Sequence, residues 1–365
     1  MIAAGGTGGH LYPGLAVAEA MMAYAPDATL SFVGSVEGFE RPLVEQSGVK
    51  FAHYDEVRAG PLHGVSLPRA LVSVVNLAIG AAQALRLMLR RKPQALLLTG
   101  GWVGLPVALA AWVMRVPVMI YLPDIEPGLT IRVLQRFARR IAVTVAESVV
   151  YFPAKKVIVT GYPVRRSVAD AKREAAAAHF GLDPQRKTLL VFGGSRGARS
   201  INTALLDILP QLLADGIQVI HITGTLDWPQ IEARRKALAD SAHYHAFPYL
   251  HDEMGLGLAA ADLVVSRAGA SVLGEFPLFG LASILVPYPH AWRYQKVNAD
   301  YLAERGAAIR LDDEHMAHDL LPTIRSLLGD AERLSQMRAK AAALAQPGAA
   351  HLLALELARL AGGNS

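Results

Sequence analysis

Apolar and polar positions along the chain fall into two kinds of run. Short, continuous apolar runs recur at 1–4, 29–33, 51–54, 95–98, 116–121, 140–145 and 156–160. A strand that is apolar at consecutive positions is buried on both faces, as in a parallel sheet covered by helices. Longer segments with helical spacing lie between them, at 15–25, 66–91, 106–114 and 130–139. A break falls at Gly161-Tyr162-Pro163-Val164-Arg165, followed by a helical segment over 169–180. The pattern then restarts with strands at 188–192, 218–222, 244–248, 263–265 and 283–287. Helices are expected at 200–214, 228–240, 253–260, 271–279 and 294–304, and a helical tail rich in Ala and Leu begins at His318. This alternation predicts an α/β protein with doubly wound parallel sheets. A length of 365 residues exceeds one ordinary core. Residues 1–163 and 164–345 are expected as two domains, with 346–365 a helix that packs back on the first.

Two of the strands run into glycine loops. Gly5-Gly6-Thr7-Gly8-Gly9-His10 follows the first apolar run and precedes a helical pattern that begins near Pro13. Glycine has no Cβ, so such a loop lets the backbone approach a ligand closely. The helix behind it points free N–H groups and its positive end at an anion. The spacing is neither the dinucleotide fingerprint nor a P-loop. His10 stands at the rim, either as a group that takes a proton or as a helix cap without chemistry. Gly193-Gly194-Ser195-Arg196-Gly197-Ala198-Arg199 is a second loop of this kind. Two similar halves, each offering a glycine loop to one cleft, is the simplest reading. A further strand-to-helix turn is Ser266-Arg267-Ala268-Gly269-Ala270-Ser271-Val272-Leu273-Gly274-Glu275. There Ser271 is expected to cap the helix, with N–H groups facing a diphosphate. Glu275 is either a ribose acceptor or an acid favoured by the helix dipole. Gln295 and Asn298 lie three apart on one helix face, where amides suit sugar hydroxyls or simply a solvated surface.

Composition adds a membrane question and an anionic partner. The chain is 52% hydrophobic, with mean hydropathy +0.29. Either the core is large or some apolar surface faces a membrane. The longest apolar stretch, Leu71 to Leu89, is interrupted by Ser73, Asn76, Gln83 and Arg86 and ends in Arg90-Arg91-Lys92. A spanning helix needs roughly 20 uncharged, mostly apolar residues. The stretch reads instead as a helix packed in the domain with one apolar face at a membrane. Leu71, Val75, Ile79 and Trp112 are the expected apolar groups. Their basic neighbours would be Arg86, Arg90, Arg91, Arg132, Arg136, Arg139 and Arg140. A net charge of +5 and pI near 9.4 favour nucleotide phosphates or anionic lipid headgroups as partners. No arginine–aromatic stripe stands out, so no nucleic-acid partner is expected. With no cysteine, disulfides, thiolate nucleophiles and Cys-ligated metals are excluded. Residues 1–10 carry no basic segment of the signal-peptide kind. The opening strand is short, so the natural start is expected a few residues upstream.

Taken together, these pieces resemble glycosyltransferase family 28. The residues that carry the resemblance occur in order: Gly5 to His10, Gly100-Gly101-Trp102-Val103, Pro127-Gly128-Leu129-Thr130, Gly161 to Arg165, Gly193 to Arg199, Ser266 to Glu275, and Gln295 with Asn298-Ala299. The likeness runs from Met1 to about Arg310. It implies the GT-B fold: two Rossmann-like domains with parallel sheets facing an inter-domain cleft. The acceptor would be held by the first domain and the UDP-sugar by the second. The branch it looks most like transfers N-acetylglucosamine from UDP-GlcNAc to an undecaprenyl-diphosphate-linked muramyl-pentapeptide, with inversion at the anomeric carbon. This implies a peripheral enzyme on the cytoplasmic face of the cell membrane in peptidoglycan synthesis, with a wall-synthesis complex as a candidate protein partner. No cofactor or metal is implied.

By the same resemblance His10 is the candidate general base, since an imidazole titrates near working pH. Thr7, Gly8 and Gly9 match the loop near the phosphates of donor and acceptor. Arg165 and Ser195 match donor-phosphate contacts, for which a guanidinium is suited. His251 lies in the segment that reads uracil. Ala270, Ser271, Val272, Leu273, Gly274 and Glu275 match the segment under the diphosphate and ribose, and Gln295 the amide on the sugar hydroxyls. Three departures from the family pattern stand out. Tyr121-Leu122-Pro123-Asp124 replaces His-Glu-Gln-Asn, Gly104-Leu105-Pro106 replaces Ser-Gly-Pro, and Arg196 replaces Gln. An aspartate accepts hydrogen bonds but cannot donate them as asparagine does. Either donor contacts differ, or Asp124 or Glu126 shares acid–base or orienting work with His10. Three alternatives stay open on the sequence: transfer to another lipid such as diacylglycerol, 2-epimerisation of UDP-GlcNAc, and a UDP-sugar-binding scaffold without catalysis.

Overall fold

The computed structural model describes residues 1–61, 64–194, 197–237, 242–290 and 293–362. The chain forms two compact units, Met1–Arg165 with Pro347–Ser365, and Arg166–Gln346.

The first unit is built on a seven-stranded parallel sheet in the order β3-β2-β1-β4-β5-β6-β7. The strands are β1 (Ile2–Ala4), β2 (Ser31–Ser35), β3 (His53–Val57), β4 (Leu96–Gly100), β5 (Val118–Leu122), β6 (Ala138–Val143) and β7 (Val157–Val159). Every residue of β1, β4 and β5 is buried, the consequence of apolar side chains on both faces. Ile2 pairs with Phe32 on one side and Leu97 on the other, which puts β1 in the interior of the sheet. The helices are α1 (Gly8–Tyr24), α2 (Glu40–Gln46), α3 (Leu67–Arg91), α4 (Gly104–Val113) and α5 (Leu129–Leu134). The α1 helix begins at Gly8, five residues before the sequence pattern suggests, with Pro13 inside it. Pro13 has no N–H to give to the ladder, but the first turn does not depend on it: the Thr7 carbonyl accepts from both His10 N and Leu11 N at 3.1 Å. His10 is therefore part of the helix rather than the rim of a loop. The helix expected over 130–139 stops at Leu134, and β6 starts at Ala138.

By length and composition alone, α3 could cross a membrane. One face is nevertheless part of the first unit: Ser73, Gly80, Ala84 and Met88 are buried, and Arg91 forms an ion pair with Asp55 at 3.0 Å. Leu67, Leu71, Val72, Val74 and Val75 remain more than half exposed, as do Trp112 and Val113 at the end of α4, which packs against α3.

The second unit has a six-stranded parallel sheet in the order β10-β9-β8-β11-β12-β13. Its strands are β8 (Thr188–Phe192), β9 (Gln218–Ile222), β10 (Tyr244–Phe247), β11 (Leu263–Ser266), β12 (Ala282–Leu285) and β13 (Ala308–Arg310). Around it lie α6 (Arg166–Ala169), α7 (Arg173–Phe180), α8 (Arg199–Ala214), α9 (Trp228–Ala237), α10 (Met254–Ala260), α11 (Glu275–Phe279), α12 (Tyr294–Glu304), α13 (Met316–Gly329) and α14 (Ala331–Ala342). The single helix expected over 271–279 is instead a 3-10 turn, Ala270–Leu273, and α11, joined at Gly274. The expected segment 169–180 likewise divides into α6 and α7, and β13 has no counterpart in the sequence reading. The last helix, α15 (Ala349–Ala361), belongs to the first unit and packs along α1.

In open parallel sheets ligands bind beyond the carboxyl ends of the strands where the strand order reverses. Those points are β1/β4 in the first unit and β8/β11 in the second. Glycine loops follow β1, β4 and β8, and Ser266 ends β11.

Candidate functional site

At the β1/β4 switch point two glycine turns touch. Gly101 has φ +86°, and a Cβ there would lie 2.7 Å from the Gly5 carbonyl carbon. Gly100 has φ +136°, and its Cβ would lie 2.8 Å from His10 Nε2. The backbone of β4 thus runs directly against the imidazole, and no side chain fits at either position. His10 Nδ1 is 3.2 Å from the Gly5 carbonyl oxygen and 3.2 Å from Thr7 Oγ1. A carbonyl can only accept, so the bond to Gly5 is made by the tautomer with hydrogen on Nδ1, which leaves Nε2 its lone pair; the Thr7 hydroxyl can serve either tautomer. The Thr99 hydroxyl donates to the His10 carbonyl at 2.6 Å and fixes the helix turn to β4. Burial lowers the His10 pKa from its ordinary value, while the charge of Asp124 and the bond to Gly5 work in the opposite direction. The ring is therefore a neutral imidazole at pH 7.

Asp124 stands half-buried just beyond β5, where its charge acts on His10. Glu126 is buried, and its Oε1 accepts from the Tyr151 hydroxyl at 3.0 Å. Tyr121, which takes the place of a family histidine, is fully buried and bonds Thr144 Oγ1 at 2.8 Å, so it supports the wall behind the site. Thr7 precedes α1 without a side-chain cap bond. Gly8 and Gly9 form the first residues of that helix. The Arg165 guanidinium lies 4.6 Å over the ring of Tyr12, two positions beyond His10.

At the β8/β11 switch point the 3-10 turn buries Ala270, Val272 and Leu273, which leaves only their backbone for a ligand. Ser271 does not cap a helix: Gly269 precedes the turn, and the N–H groups of Val272 and Gly274 bond inside it to Gly269 and Ser271. Glu275 is half-buried at the start of α11. Asn298, read from the sequence as facing sugar hydroxyls or solvent, is buried and donates to the Ala268 carbonyl at 3.1 Å. A helical period cannot distinguish a sugar from a backbone partner. Gln295 is half-buried, and its Oε1 accepts from Tyr288 N at 2.9 Å. His251 is exposed, with its N–H on Glu253 at 3.2 Å. Ser195 and Arg196 lie outside the described residues.

The sequence reading singled out neither Arg267 nor the network behind the second glycine loop. The side chain of Arg267 is 8% exposed. It donates to the carbonyls of Val286 and Pro287 at 3.2 and 3.3 Å, to Ser200 Oγ at 2.6 Å, and to Asp313. One fork thus joins the ends of β11 and β12 to the start of α8. Asn202 donates to the Thr223 carbonyl at 2.8 Å and to Asp227 at 2.9 Å, and accepts from His221 Nε2 at 2.9 Å. The Tyr244 hydroxyl donates to His221 Nδ1 at 2.8 Å. The same Thr223 carbonyl would lie 2.7 Å from a Cβ on Gly197, so the network braces the glycine loop. Arginine within a quoted motif was a signal for the first. For the second only polar residues inside apolar strands offered one.

Burial pushes the His221 pKa down to about 3, with Asp227 opposing. The unfolded chain takes up this proton near pH 6.5 and the native one only near pH 3. Its contribution is therefore complete above pH 6.5 and is lost as pH falls. About 1.4 kcal/mol goes per pH unit, or about 2 kcal/mol by pH 5. Urea midpoints at pH 7 and pH 5 measure this. His221→Gln should flatten the dependence, and an equally steep one would remove the assignment.

Comparison with known proteins places these two sites in a family context. Residues 1–143 match the glycosyltransferase family 28 N-terminal domain, and residues 188–353 match the glycosyltransferase family 28 C-terminal domain. The UDP-N-acetylglucosamine--N-acetylmuramyl-(pentapeptide) pyrophosphoryl-undecaprenol N-acetylglucosamine transferase of Desulforudis audaxviator is 40% identical over 370 residues, covering 99% of this chain and 98% of its own. The Moorella thermoacetica protein of the same name is 37% identical, covering 96% and 95%. Among solved structures, Acinetobacter baumannii MurG superimposes with a TM-score of 0.73 at 27% identity, over 98% of both chains. A Neisseria meningitidis UDP-GlcNAc 2-epimerase bound to UDP-GlcNAc gives 0.70 at 13% identity, over 98% of this chain and 99% of its own, a likeness of fold alone.

Proposed function

The chain belongs to glycosyltransferase family 28 through both domains of that family, and we propose on that premise that it transfers N-acetylglucosamine from UDP-GlcNAc to the muramyl C4 hydroxyl of a polyprenyl-diphosphate-linked muramyl-pentapeptide. The observation that carries this reading is the 40% identity, end to end, with a transferase of that name. The epimerase likeness, at 13%, gives no comparable support for the rival reaction.

The chemistry is a direct displacement with inversion. The acceptor oxygen attacks the anomeric carbon and its proton passes to His10 Nε2. The anomeric C–O electrons leave with UDP. A neutral imidazole with Nδ1–H on Gly5 is in the right form to accept that proton. Asp124 stabilises the imidazolium that results. The second unit supplies the donor site through the 3-10 turn at Ala270, Ser271, Val272, Leu273 and Gly274, with Glu275 on the ribose, Gln295 on the sugar and His251 beside the base. Labelled GlcNAc transfer to a short-chain lipid I analogue, without added metal, tests the reading. A disaccharide-linked product supports it. UDP binding without product on this acceptor removes it.

The exposed apolar face of α3 and Trp112 fits peripheral attachment to the cytoplasmic leaflet, with Arg86, Arg90, Arg132, Arg136, Arg139 and Arg140 drawn to anionic headgroups. The double substitution Leu71→Glu, Val75→Glu should reduce co-sedimentation with phosphatidylglycerol vesicles about tenfold or more, since two apolar anchors become two charges. It should change thermal unfolding in solution little, because both residues are already more than half exposed. Undiminished sedimentation would exclude this face.

A further inference from the structure

Glu40 is a buried carboxylate, 1% exposed, that stands against the first glycine loop. Its Oε1 accepts the Gly6 N–H at 3.0 Å and the Ser35 hydroxyl at 3.5 Å. Among the described residues its Oε2 has no hydrogen-bond partner. The side chain fits there because glycines surround it: a Cβ on Gly5 would lie 2.7 Å from Oε1, and one on Gly38 would collide with Oε2. Burying a carboxylate with one oxygen unpaired is unfavourable, and an apolar residue would fill the space without that penalty.

What Glu40 holds is one particular peptide group. Gly6 N and the Gly5 carbonyl are the two ends of the same peptide unit. One end donates to Glu40, and the other accepts from His10 Nδ1 at 3.2 Å. We propose that Glu40 is a positioning residue for the base, acting through the Gly5–Gly6 peptide to hold His10 in the tautomer whose Nε2 is free of a proton. The carboxylate fixes the plane of the peptide, and with it the direction of the Gly5 carbonyl. It also polarises the peptide, so that the carbonyl becomes a better acceptor for Nδ1–H. The arrangement does for His10 what a carboxylate does when bonded directly to a catalytic imidazole, with a peptide interposed. The loop itself needs the device, because Gly5 and Gly6 offer no side chains to restrain their own backbone.

The inference rests on His10 as the base, so the test includes a readout that needs no turnover. Full-length Glu40→Leu and Glu40→Gln are compared with the native chain by steady-state transfer and by nitrogen-15 NMR of ring-labelled histidine, with His10→Gln assigning the signal. Glu40→Leu should lower kcat about tenfold to a hundredfold with the KM for UDP-GlcNAc within about twofold, and should turn the His10 signals from a single Nδ1–H tautomer into a mixture. Glu40→Gln, whose amide oxygen still accepts from Gly6, should keep both the tautomer and most of kcat. Its Gly6 amide proton should move upfield against a neutral acceptor, which is readable even if Glu40→Leu does not fold. An unchanged His10 tautomer in Glu40→Leu, or an unmoved Gly6 amide in Glu40→Gln, overturns the proposal. Full turnover by His10→Gln would instead remove the reading of His10 as base and leave the tautomer result standing.

Discussion

Replacing His10 by alanine should lower turnover by roughly 10²–10⁴-fold, the range that a positioned general base supplies, while UDP affinity stays within a factor of two or so. The asymmetry follows from placement. His10 lies at the β1/β4 switch point of the first unit, and the segment proposed for the nucleotide lies on the second. Steady-state transfer and calorimetry with UDP measure the two quantities separately. The pH profile carries independent information. Burial lowers the His10 pKa, so the imidazole stays unprotonated at neutral pH and is lost as a base only in more acidic solution. The acid limb of kcat/KM should therefore lie below pH 6.5, the ordinary value for the group. Asp124→Asn removes the charge that opposes this shift, so the limb should move further toward acid while the plateau falls because the imidazolium is less stabilised. A profile in His10→Ala with the same acid limb as the native enzyme would assign the titration to another group.

The largest effect on stability is expected at Arg267. Changing it to leucine removes four hydrogen bonds at once, to Val286, Pro287, Ser200 and Asp313. Asp313 is left as a carboxylate without its cation, and its side chain is only 21% exposed. Breaking a buried ion pair from one side costs about 3–5 kcal/mol, a large part of the 5–15 kcal/mol that ordinarily holds a domain folded. Arg267→Lys should recover only part of it, since an ammonium cannot span partners that a planar fork reaches together. Urea midpoints give the loss directly. Because Arg267 ties together the ends of β11 and β12, UDP binding should weaken in both variants even under conditions where they stay folded. A Leu variant within 1 kcal/mol or so of native would mean the cluster is not structural.

Strands buried on both faces were the most legible part of the sequence. The spans 188–192 and 218–222 coincide with β8 and β9, interior strands of the parallel sheet in which all five residues are buried. The starts of helices were harder. Pro13 suggested a boundary, yet α1 had already begun, because two glycines and the Thr7 carbonyl supply the first turn. In the candidate site the glycine loops and His10 could be seen, since their chemistry is local. Glu40 and Arg267 could not, since each acts on groups distant along the chain: Glu40 is 34 positions from Gly6, and Arg267 is 46 from Asp313. Asn298 shows the converse limit. Its residue type and spacing suited a ligand, and only the fold revealed that a backbone carbonyl already occupies it.

The return of α15 to the first unit sets an order of events during synthesis. Leu353, Leu357 and Leu360 are buried in a helix that packs along α1, and Tyr24 meets His351 edge to face at 5.8 Å. The amino-terminal unit is thus the first to leave the ribosome and the last to be completed. Until the final helix emerges, the face of α1 that receives it stays open to water. Meanwhile the middle unit, contiguous from Arg166 to Gln346, has all it needs to close. A nascent chain halted before Pro347 should therefore carry one finished unit and one that binds chaperones, although the unfinished one was translated first.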